Sequence, residues 1–88
     1  MWISGEKFAK GVREIFEEKG AVYLDSNFRR FTSYKLNDLI ITVPNTHAFS
    51  FTVFIESAEK DYNFHQPRNC SVDFAINKFK KHIESLKI

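Results

Sequence analysis

The run Ala48-Phe49-Ser50-Phe51-Thr52-Val53-Phe54-Ile55-Glu56 carries the clearest pattern in the chain. Extended, it points Phe49, Phe51, Val53 and Ile55 one way and Ser50, Thr52, Phe54 and Glu56 the other, the period-2 alternation of a half-buried strand. Leu39, Ile41 and Val43 alternate in the same way, and Pro44-Asn45-Thr46-His47 between the two runs reads as a hairpin connection. Residues 21–25 suggest a short strand with Val22 and Leu24 inward, closed by the turn residues Asp25-Ser26-Asn27. Residues 28–36 form another candidate strand whose alternation is imperfect. After a polar loop over 57–61, residues 62–65 add a short fifth strand. Gln66-Pro67-Arg68-Asn69 ends it, because proline donates nothing to a ladder.

Helical spacing appears at both ends. Over 4–19, Phe8, Val12, Ile15 and Phe16 share a face, Ser4 is placed to cap, Glu6 suits the first turn and Gly20 suits the C-terminal cap. Gly11 lies on that apolar face at a cost of about 1 kcal/mol relative to alanine, which predicts close approach to the sheet. Lys10, Arg13, Glu14 and Glu17 make a mixed-sign solvated face. Over 71–86, Ser71 is the N-cap, Asp73 suits the positive helix end, and Val72, Ile76, Phe79, Ile83 and Leu86 line one face. The order predicts one α+β domain over 1–88. Its architecture is a two-layer sandwich (α-β-β-β-β-α, with a fifth strand optional): an antiparallel sheet of four to five strands with the N- and C-terminal helices on one face. The opposite sheet face is left open.

Composition narrows the function classes. Hydrophobic residues at 43% and charged residues at 27% fit an ordered globular domain, and 88 residues leave little room for a deep catalytic pocket. Ten Phe, three Tyr and one Trp let a small core be built from few side chains. The net charge of +2 permits nucleic-acid contact without demanding it. One cysteine excludes an internal disulfide framework and suits a reducing cytoplasm. The charged first helix is not a signal-peptide pattern, and no apolar run approaches a membrane span.

The chemistry-bearing residues are few. Phe74 points away from Ile76, Phe79 and Ile83 and shares a stripe with Lys78, Lys81 and Ser85, which suits a partner protein or a nucleic-acid strand. The structural alternative is a hydrophobic anchor folded onto the 57–70 loop. Tyr23, Ile40, Thr42 and Phe54 are expected on the outer sheet face, a surface for a protein partner, a second copy, a covering loop or single-stranded RNA. Arg29, Arg30 and Lys35, with Lys78 and Lys81, are the candidate nucleic-acid contacts; the bland reading is ordinary surface cations. His47, His65, His82 and Cys70 show no zinc spacing, so no metal and no cofactor is expected. His65-Gln66-Pro67-Arg68 places an imidazole and a guanidinium after a strand, as a small ribonuclease needs. No phosphate-cradling glycine loop, nucleophile elbow or HExxH is present.

The helix–strands–helix order resembles the double-stranded-RNA-binding domain, whose second helix opens with lysines where this chain carries Lys78, Lys80 and Lys81 in mid-helix. Ile41-Thr42-Val43-Pro44 resembles the "TVP" strand end of the HicA-type mRNA interferase toxins, although Asn27-Phe28-Arg29-Arg30-Phe31 stands where that family has Gly-Ser-His. Neither resemblance transfers a site. The expected function is a small non-enzymatic protein–protein interaction module, an inhibitor or accessory factor of the phage or mobile-element type acting on a larger nucleic-acid-handling complex. A nucleic-acid-binding module is the first alternative and a small ribonuclease-type toxin the second.

Overall fold

A computed structural model describes residues 3–27, 30–44, 50–67 and 69–86, without the side chains of residues 3, 4, 26 and 27. Its elements are α1 (Ile3–Glu18), β1 (Val22–Asn27), β2 (Phe31–Leu36), β3 (Leu39–Pro44), β4 (Ser50–Glu56), β5 (Phe64–Pro67) and α2 (Val72–Leu86). The five strands form one sheet in the order β1-β2-β3-β4-β5, each antiparallel to its neighbour. With a helix at each end, this is the α+β architecture that the patterning predicts. Phe49, Arg29, Arg68 and the hairpin residues 45–47 lie outside the described residues.

Both helices end as their sequences direct. The Gly20 N–H donates to Glu17 O (3.1 Å) and the Ala21 N–H to Phe16 O (3.0 Å), which closes α1 in a Schellman motif. Gly20 holds φ +83°, a left-handed conformation that a Cβ disfavours. Ser71 Oγ accepts the Phe74 N–H at 3.1 Å, and Ser71 O accepts from Ala75, so Ser71 is the N-cap of α2. At the other end of the chain, α1 begins at Ile3, so Ser4 lies within its first turn rather than before it. Gly11 corrects a second expectation. A Cβ there would stand 2.8 Å from Ile76 Cδ1, so the close approach is to α2 and not to the sheet.

The core fills the space between the sheet and the two helices. Phe8, Val12 and Phe16 of α1 and Ala75, Phe79 and Ile83 of α2 are buried against Ile41, Val43, Phe51, Val53, Ile55 and Phe64. The Phe79 ring stands edge-on to Phe16 (5.8 Å) and Phe64 (5.3 Å), and Phe8 tilts against Phe51 (4.9 Å), so the rings interlock in the geometry their quadrupoles favour. Five of the eight phenylalanines among the described residues are thereby buried. Asn37, in the left-handed region at φ 57°, helps to close the two-residue turn that pairs Leu36 with Leu39.

Two strands depart from the pattern. Val22 and Leu24, expected inward, are 62% and 47% exposed. β1 is the edge strand on β2, the helices pack over β3, β4 and β5, and the register of β1 shifts between Tyr23 and Asp25. β5 runs over Phe64–Pro67 rather than 62–65. Asn63 explains the delay: its side-chain oxygen accepts the Ile55 N–H at 2.8 Å in place of a strand carbonyl. Pro67 is tolerated within β5 because that strand is the other edge of the sheet.

Candidate functional site

Residues three and four apart on a helix are neighbours, and α2 brings Phe74, Lys78 and Lys81 together at that spacing. Phe74 is 47% exposed. The Lys78 ammonium stands over its ring, Nζ 5.6 Å from the centroid, within cation–π range. Lys81 and Asn77 complete the lining of a shallow hollow of about 180 Å³. At about 100° per residue, Phe74 and Lys78 each lie about 160° round the helix from Ile76, the residue that meets α1. The stripe is therefore on the flank of α2 turned away from α1, past His82. That imidazole is half-buried, its Nε2 donating to Tyr62 O at 2.7 Å. Asn77 is the residue that sequence reasoning missed here; its place one turn before Lys81 was the available signal.

The outer sheet face is the second candidate surface. Phe54 pairs with Thr42, and Ile40 with both Lys35 and Glu56, opposite in sense to the helix-facing Ile41 and Ile55. Phe54 and Ile40 are 39% and 40% exposed. Tyr23 does not belong with them. It pairs with Tyr34 and meets that ring edge-on at 6.2 Å. Tyr34 faces α1, packing on Phe16 and donating its hydroxyl to Glu17 Oε2 at 3.0 Å. Tyr23 thus lies on the helix side of β1, and Val22, paired with Lys35, takes the outward position.

The candidate cations divide between the two layers. Lys35 is on the outer sheet face and Lys78 and Lys81 are on the helix layer, while Arg30 is exposed in the turn before β2. Of the candidate nucleic-acid contacts among the described residues, Lys35 and the Lys78–Lys81 pair therefore stand on different layers. His65 is exposed beside Thr52, whose Oγ1 lies 3.3 Å from its Nδ1; Thr52 in turn pairs with Ser50 Oγ at 2.8 Å. Cys70 is half-buried and its Sγ donates to Pro67 O at 3.5 Å. A further hollow of about 430 Å³ is lined by Asp38, Glu59, Tyr62 and Ser85 among others. The Ser85 hydroxyl there is engaged with His82 O at 2.6 Å. Among the described residues, no three His, Cys, Asp or Glu side chains group to hold a metal ion, and no helix is long and apolar enough to cross a membrane.

Compared with known proteins, the chain matches no family model, no curated protein and no solved structure.

Proposed function

We propose that this protein is a non-catalytic binding module, an inhibitor or accessory factor that seats an acidic segment of a partner protein on the outer flank of α2. One observation carries the reading: Phe74 is a large ring left 47% exposed, with an ammonium group above it and a second lysine a turn away, in one hollow. The ring offers apolar area, and aromatic anchors of this kind dominate binding energy when an interface covers them. Lys78 and Lys81 add point charges that suit carboxylates and leave the ring accessible. A reducing, cytoplasmic setting is part of this reading, supported by the single half-buried thiol of Cys70. An RNA or DNA strand would use the same ring for stacking and the same lysines for phosphates, but Lys35 on the other layer could not join it.

The test is a peptide-display selection on the immobilised wild-type protein, each selected ligand then being assayed on Phe74→Ala. The expected ligands are acidic peptides bearing one aromatic or aliphatic anchor. Their Kd should rise at least about tenfold with Phe74→Ala and with Lys81→Glu. Ligands that bind Phe74→Ala as well as wild type would refute the site. Labelled RNA and DNA, assayed by anisotropy in parallel, separate the alternative: binding that falls steeply with salt marks a phosphate ligand.

A further inference from the structure

Ile40 occupies the middle strand of the outer sheet face, with Lys35 beside it on β2 and Glu56 beside it on β4. Val22 continues the row on β1, and Phe54 stands two residues along β4 from Glu56. Val22, Ile40 and Phe54 are exposed apolar side chains, and Lys35 and Glu56 are exposed as well. The row reads apolar, positive, apolar, negative, and such an order can be its own complement. A two-fold axis along β3 sets Ile40 against the partner's Ile40, Lys35 against the partner's Glu56, and Glu56 against the partner's Lys35. An axis across the strands at this row would instead oppose lysine to lysine and glutamate to glutamate. Only the first arrangement covers the apolar centre between compensated charges.

We infer that the outer sheet face pairs with the same face of a second copy of this chain, in a two-fold sheet-on-sheet dimer centred on Ile40 with Lys35 and Glu56 as reciprocal ion pairs. Packed sheets stand about 10 Å apart, a gap that Lys and Glu side chains reaching from both sides can bridge. Four strands about 20 Å long and the four-residue β5 at about 13 Å, spaced about 4.8 Å apart, present roughly 450 Å² of face per copy. Stable dimers bury about 800 Å² per partner, so the pairing is reversible and weak. It uses the layer opposite α2 and stands independently of the function proposed for that helix.

Analytical ultracentrifugation across the micromolar range reads the result directly. Wild type should approach twice the monomer mass at the high end. Lys35→Glu and Glu56→Lys should each weaken the dimer at least about tenfold, because each places two like-charge pairs across the two-fold axis. Mixing the two variants should restore association, and the double variant Lys35→Glu/Glu56→Lys should recover wild-type affinity within about threefold. Both side chains are exposed, so folding should survive, as circular dichroism will report; should one reversal unfold, the other and Ile40→Glu probe the same contact. A wild type that stays monomeric throughout overturns the inference. So does a dimer indifferent to both reversals, since another surface would then hold it.

Discussion

Replacing Gly11 with alanine sets two effects of similar size against each other. Glycine within a helix costs about 1 kcal/mol relative to alanine, so the exchange gains that much in α1. The new methyl would lie 2.8 Å from Ile76 Cδ1, well inside the 3.5–4.0 Å at which carbon atoms attract. Ile76 is half-buried, and its δ-carbon is the free end of the side chain, so it can turn aside. A χ displaced by about 30° costs of order 0.5–1.5 kcal/mol. Gly11→Ala alone should therefore leave stability within roughly 0.5 kcal/mol of wild type, the propensity gain being offset. Ile76→Val removes Cδ1 and leaves Cγ1 at 3.5 Å, an ordinary contact. That substitution alone should cost about 0.5–1 kcal/mol, the low end for a half-buried site. In the double variant the alanine gain is no longer opposed. The coupling between the positions should be about 1 kcal/mol, and the double variant should melt at least as high as wild type. Thermal and urea melts followed by circular dichroism read this, at about 4–8 °C per kcal/mol for a domain of this size. An equal gain from Gly11→Ala in the wild-type and Ile76→Val backgrounds would refute the account, because the δ-carbon would then play no part in selecting glycine.

Two further outcomes follow from the core. Burial, then the Glu17 hydrogen bond and charge, raises the Tyr34 phenol from 10.0 to about 12. The unfolded phenol ionises first, so the stabilising contribution of Tyr34 is fully present below about pH 10 and is lost as pH climbs towards 12. Urea midpoints should fall less steeply over that window in Tyr34→Phe than in wild type, and identical slopes would contradict the burial of the hydroxyl. Phe79→Ala removes the ring on which Phe8, Phe16 and Phe64 converge and should cost about 3–5 kcal/mol in urea unfolding; a loss below about 1 kcal/mol would show that the helices do not meet the sheet through Phe79.

The helices and the two central strands were legible because each is specified by its own residues. In α2, Ser71, Asp73 and the row from Val72 to Leu86 mark the start and the inner face without knowledge of anything else in the chain. β3 alternates cleanly, and β4 does so from Phe51 onward, since one side of each is the core; only Ser50, at the start of β4, is buried against its pattern. β2 hid its pattern because its inward residues include Thr32 and Tyr34, which read as half-polar until Glu17 is seen to take the phenol hydroxyl. β1 misled in the opposite sense. Its apolar residues, Val22 and Leu24, suggest an inner face, but an edge strand on which the helices pack little has little core to offer them. There the register on β2 decides, and it turns Tyr23 towards Tyr34.

The same distinction separates the two surfaces. Phe74, Lys78 and Lys81 are neighbours by helical spacing, so they could be named as a group before any fold was known, and only their exposure and the position of Lys78 over the ring needed the structure. Lys35, Ile40 and Glu56 become neighbours through two antiparallel registers, neither of which is written at those residues. One register is fixed by the tight turn at Asn37; the other is held by the inward pairing of Ile41 with Ile55. A slip of one residue in either would send a charge into the core, so burial of the inner face fixes the charge order of the outer one. An outer-face pattern produced in this way cannot be found by scanning for local motifs. It follows only from the pairing, which is why Glu56 could be assigned outward from its strand alone while its symmetry with Lys35 about Ile40 could not.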